Sequence, residues 1–160
     1  MNRILDLVKN EIVCVFRDKK NTANFYVGFV LGYDDDNLLL ECLNQEGEKE
    51  GIAIIKNKDI YLIETKNEYI DEIKERCDRP SMMDMYDHED VLQELFNYLI
   101  VENEMVCIET NHSDQIDVRG VVKEIIDGWI RVNIYREGDE EERDGVSYCR
   151  IEDISMIDKV

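Results

Sequence analysis

Histidines, cysteines and clustered carboxylates are the side chains through which a chain of this size would catalyse a reaction or hold a metal, and here they are sparse or scattered. His88 and His112 are the only two histidines. His88 falls in an acidic helix start and His112 in a polar loop, settings in which an imidazole is solvated and lacks the convergent partners of general acid–base chemistry. The five cysteines, Cys14, Cys42, Cys77, Cys107 and Cys149, are an odd set with no C-x-x-C pair. Four of them stand in apolar, strand-like runs, where a free thiol behaves as a small hydrophobe. No Ser-His-Asp order, phosphate-cradling glycine loop or H-E-x-x-H stretch occurs. No catalytic residues, no metal and no cofactor are therefore expected.

Two acidic runs and one aromatic residue are more informative. Asp34-Asp35-Asp36-Asn37 offers the oxygens that calcium takes, but without the spaced ligands and terminal Glu of an EF-hand loop, and it reads as a turn. The run from Glu137 to Asp144 reads as a solvated hairpin tip, or as a docking surface in which Glu140, Glu141 and Glu142 face a basic partner. Trp129, the single tryptophan, directly follows Asp127-Gly128. Strand alternation sends Ile130, Val132 and Ile134 inward and Trp129, Arg131 and Asn133 outward. An outward indole beside a turn is a candidate contact anchor, with Arg131 next to it; its other use would be to cover a joint within the molecule. The same pair of readings applies to Met82-Met83-Asp84-Met85-Tyr86, whose thioethers suit a partner groove or an internal seal.

The elements that must position these groups follow from composition and periodicity. With 44% hydrophobic residues and a single Pro, the 160-residue chain has the apolar content of an ordered fold. No apolar stretch is long enough to span a membrane, and Asp6 interrupts what would be the apolar part of a signal peptide, so a cytoplasmic location is expected. Charge is uneven. Through residue 66 there are 9 basic and 12 acidic side chains, a balance of −3, whereas the remainder carries 10 and 26, a balance of −16. Phosphate backbones are bound through Lys and Arg, so the later part should repel nucleic acid and favour a protein partner, a basic one included.

A repeat organises the chain. Glu11-Ile12-Val13-Cys14-Val15 recurs as Glu104-Met105-Val106-Cys107-Ile108, Gly28-Phe29-Val30 as Gly120-Val121-Val122, and Asp59-Ile60 as Asp153-Ile154. Each copy reads as a helix followed by five short strands. In the first, Ile4, Leu5, Leu7 and Val8 make the helical stripe, and Leu38, Leu40 and Cys42 alternate against Leu39, Glu41 and Leu43, so that one set faces the interior. Gly28 sits within the second strand, where glycine marks a bend. The second copy opens with a longer helix, capped at Asp87 or Asp90, whose apolar face is Val91, Leu92, Leu95, Phe96 and Leu99. Between them Tyr69, Ile70 and Ile73 predict a packed helix stopped by Pro80. The expected architecture is mainly β with helices: a first barrel over 1–66, a helical linker over 67–90 and a second barrel over 91–160.

This helix-plus-five-strand plan, with Gly28-Phe29-Val30-Leu31-Gly32-Tyr33-Asp34 followed by Asn37-Leu38-Leu39-Leu40, resembles the Sm-like family of RNA-associated small barrels. SH3-like and Tudor-like barrels share the strand order. The resemblance implies two tandem five-stranded barrels, self-association through strand edges, and RNA bases held by Asp34 and Asn37. The loop is one residue shorter than the Sm motif, Asp36 stands where a large apolar residue stacks on a base, and no Arg-Gly pair accompanies Asn57-Lys58. In the second copy Asp127-Gly128-Trp129 replaces the loop, with no Asn. Fold resemblance does not carry activity with it. A non-catalytic binding or adaptor protein acting through protein–protein interaction is thus expected, with RNA binding through the first copy as the alternative.

Overall fold

The computed structural model describes residues 2–9, 11–77, 89–111, 113–136 and 139–160, with the backbone alone at 2, 113–117, 136 and 139–143. The chain divides into two compact units, Met1–Val91 and Leu92–Val160, built almost wholly from antiparallel strands.

In the first unit, helix α1 (Asn2–Val8) lies against strand β2 (Phe25–Tyr33), and the Tyr33 hydroxyl donates to Asp6 Oδ1. Its apolar stripe is narrower than the sequence suggests. Leu5 and Val8, three residues apart, are buried, while Ile4 and Leu7 on the neighbouring stripe are exposed, because a single short helix turns only one face to the sheet. Strands β1 (Ile12–Phe16), β2, β3 (Asn37–Leu43), β4 (Lys49–Lys56) and β5 (Leu62–Thr65) run in the order β5-β1-β2-β3-β4. Gly28 lies opposite Cys42, and a Cβ there would overlap the Glu41 carbonyl oxygen. The close approach this allows, with a register shift between Val30 and Gly32, bends β2.

Helix α2 (Glu68–Lys74) begins at Asn67, whose Oδ1 accepts the Ile70 N–H at 2.8 Å. Ile70 and Ile73 then pack on Ile12, Cys14, Val27, Phe29 and Leu43, with Phe16, Phe25 and Tyr69 beside them. This layer changes the reading of β3, which was expected to have one interior face. All of Leu38 to Leu43 is buried, and α2 covers the strand at its Leu43 end. Each fully buried leucine there contributes about 1.5–3 kcal/mol. The expected closure into a barrel is not seen: the sheet is open, and among the described residues β4 and β5 form no ladder with each other. The 3-10 turn Asn57–Asp59 separates them, and the four residues of β5 pair along β1 instead.

The second unit opens within helix α3 (Val91–Glu102), with Leu92, Leu95, Phe96 and Leu99 buried, as is Val91 at the end of the first unit. Strands β6 (Val106–Thr110), β7 (Ser113–Ile126), β8 (Trp129–Arg136), β9 (Asp139–Arg150) and β10 (Ile154–Lys159) follow, in the order β10-β6-β7-β8-β9. This sheet too is open, with β9 and β10 joined through the 3-10 turn Ile151–Asp153. Gly120 faces Ile134, a Cβ there would overlap the Asn133 carbonyl, and the register shifts just beyond, between Val122 and Glu124. The acidic run after Gly138 lies in a strand. Asp139 to Asp144 belongs to β9, with Asp139 opposite Arg136 and Arg143 opposite Tyr135, and the register shift between these pairs leaves Glu140 to Glu142 opposite no residue of β8. Pairing across the hairpin overrides the weak strand propensity of acidic residues. Among the described residues no helix is long and apolar enough to cross a membrane.

Candidate functional site

The loop that carries the Sm-like motif in the first unit is stitched to itself. Asp34 is 9% exposed, and its Oδ1 accepts the backbone N–H groups of Asp36 at 2.8 Å and Asn37 at 2.7 Å. Its Oδ2 accepts the N–H of Val91 at 2.9 Å. Asn57, from the turn after β4, donates its Nδ2 to the Asp34 carbonyl at 2.8 Å and its backbone N–H to the Asp36 carbonyl at 2.9 Å. The structure thus brings Asp34, Asn37 and Asn57 together, but as an internally bonded turn. A carboxylate whose two oxygens already accept three backbone N–H bonds has little capacity left to grip a base. Asn57 Oδ1 is buried with no hydrogen-bond partner among the described residues.

The second unit places its candidate residues on an open sheet face. Asp127 and Gly128 both adopt positive φ, 45° and 83°, the backbone of a type I′ turn, and this sets Ile126 directly opposite Trp129. The Gly128 carbonyl accepts the Ile151 N–H at 2.9 Å, tying the turn to the end of β9. Ile130 and Val132 are fully buried, so Trp129 and Arg131 project from the other face of β8. Asn133, expected outward with them, is instead buried at 9% exposure beneath Arg131, whose guanidinium donates to Asn133 Oδ1 at 3.3 Å and to Glu124 Oε2 at 3.1 Å.

Two neighbours on β9 complete this face. Trp129 pairs with Arg150 and Arg131 with Tyr148, and the Arg150 guanidinium stands 4.3 Å from the centroid of the indole. Ile126, Asp127, Trp129 and Tyr148 line an open groove of about 380 Å³. Tyr148 is 58% exposed and Ile126 38%, high values for side chains of this kind. Sequence reasoning singled out Trp129 and Arg131 but missed Ile126, Tyr148 and Arg150. The alternation of Val146, Tyr148 and Arg150 against buried Cys149 was the signal that would have found two of them. Glu140, Glu141 and Glu142 lie in β9, and their side chains fall outside the described atoms; His88, His112 and Met82 to Tyr86 fall outside the described residues.

The cysteines form no site. All five are free, and burial pushes the Cys14 thiol up to about 11 and the Cys42 thiol up to about 12, which keeps both protonated and unreactive at neutral pH. Among the described residues no three His, Cys, Asp or Glu side chains come together as a metal site. Comparison of the chain with protein-family models, with curated proteins and with solved structures finds no match in any of the three.

Proposed function

We propose that this chain is a tandem of two Sm-like or SH3-like units serving as a non-catalytic binding or adaptor protein in the cytoplasm, working through protein–protein contact. The duplication is supported by Gly28 and Gly120, which stand at equivalent places in sheets of the same strand order and are each followed by a register shift. The observation that carries the function is the exposed groove of Ile126, Trp129 and Tyr148 on the second unit. Aromatic side chains left half in water on a sheet face are the usual anchors of interfaces. The alternative, RNA binding through Asp34 and Asn37, is the weaker reading, because the Asp34 carboxylate already accepts the N–H groups of Asp36, Asn37 and Val91.

The test compares proteins retained from native cell extract by the wild-type chain and by Trp129→Ala at matched folding. A set of partners lost from the variant is expected, and identical retention by both would remove the groove from the proposal. In parallel, short single-stranded RNA is expected to show no micromolar binding at physiological salt. Tight RNA binding that disappears in Asn37→Ala would reverse the ranking of the two readings.

A further inference from the structure

The indole that lines the groove on the second unit already has a cation on its ring. Arg150 lays its guanidinium over the Trp129 ring, and its Nε is 3.8 Å from Glu152 and 3.9 Å from Asp153. Arg150 is 47% exposed on its side chain, Glu152 68% and Asp153 45%. Ion pairs this open to water are weak, and a guanidinium held by them is readily exchanged for another. The indole face and its two acids therefore form a cation seat whose present occupant is loosely held.

The surroundings select the same sign of charge. Asp127 lines the groove itself, and Arg131, the strand neighbour of Tyr148, is paired with Glu124 at 3.1 Å. Residues 92–160 as a whole carry 17 acidic against 7 basic side chains, so an anionic segment is repelled on approach and a cationic one is drawn in. Ile126 and Tyr148 add apolar surface that a neighbouring aliphatic side chain would cover. The turn at Asp127-Gly128 and its bond to Ile151 hold these walls in place, so binding need not order them.

We infer that this groove is the seat of a basic peptide segment of a partner protein, one whose arginine or lysine replaces Arg150 on the Trp129 ring while an adjacent apolar residue covers Ile126 and Tyr148. The inference rests on the protein-binding reading above and supplies the partner's chemistry. Arg150 acts as an internal competitor that lowers the apparent affinity.

Trp129 is the single tryptophan, so its emission reports on the groove in the full chain. The probes are a synthetic peptide alternating Arg and Leu and its counterpart with Glu in place of Arg. The basic peptide should shift the Trp129 emission saturably and bind more weakly as salt rises, and the acidic one should not bind. With the peptide labelled and followed by anisotropy, Tyr148→Ala and Trp129→Ala should each weaken binding by about tenfold or more. Arg150→Ala should tighten it by about three- to tenfold as the competitor is lost. Unchanged melting temperatures establish that the variants are folded.

Binding of the basic peptide that leaves Trp129 emission and the Tyr148→Ala affinity unaffected would place it elsewhere on the acidic surface, overturning the groove but not protein binding. Equal or tighter binding of the acidic peptide would overturn the charge assignment. Weaker binding by Arg150→Ala would show that this arginine contacts the ligand and would end the displacement scheme. Failure of both peptides, together with extract partners still lost from Trp129→Ala, would overturn the basic-segment inference and leave the wider reading in place.

Discussion

The Asp34 carboxylate accepts backbone N–H bonds from Asp36, Asn37 and Val91, so its role in the molecule is to hold backbone together. Removing it would strand the buried Val91 N–H and two part-buried donors, and hydrogen bonds to a charged group are among the stronger ones. Asp34→Ala should therefore cost about 3 kcal/mol in urea unfolding. Asp34→Asn, which keeps one acceptor oxygen, should cost less. A loss under about 1 kcal/mol in Asp34→Ala would show that water takes over these bonds. At the same scale Trp129 illustrates a residue whose orientation was legible and whose company was not. Alternation turned it outward, but only the β8–β9 register puts Arg150 across from it.

At the scale of elements, each sheet is bent where a glycine lets the neighbouring backbone approach. Alanine at Gly28 would meet the Glu41 carbonyl, and alanine at Gly120 the Asn133 carbonyl, so strands must move apart to admit a methyl group. Gly28→Ala and Gly120→Ala should each destabilise by about 1–3 kcal/mol, the usual cost of overpacking, as read from the denaturation midpoint. A neutral effect in either would mean that its strand is straighter than described. Helix α2 is the element that most changes the first unit. Its stripe of Tyr69, Ile70 and Ile73 was readable from spacing, but its docking site on β1 was not, because the residues that receive it are scattered from Ile12 to Leu43.

At the scale of the whole molecule, charge dominates. A net charge of −19 on 160 residues makes self-repulsion a standing cost to the folded state. Raising salt to about 0.1 M shortens the Debye length to about 10 Å and screens most of that repulsion. The melting temperature should therefore rise with added NaCl, and a fall would show that ion pairs such as Lys159 with Glu104 outweigh the repulsion. The same charge sets the direction of recognition, away from phosphate backbones and toward cationic surfaces.

The sequence by itself determined the mainly β character, the strand and helix periods, the tight turn at Asp127-Gly128 and the outward Trp129, because each depends on residues a few positions apart. Tertiary structure alone decided the rest. Asp34 meets Val91 across 57 positions, α2 lands on residues as far apart as Ile12 and Leu43, and Asp139 and Arg143 join β9 through their pairing with Arg136 and Tyr135. The groove belongs to this second class. Ile126 and Trp129 are joined by a local turn, whereas Tyr148 and Arg150 arrive on another strand. Which side chains share a sheet face is fixed by inter-strand register, and register is a property of packing between distant segments.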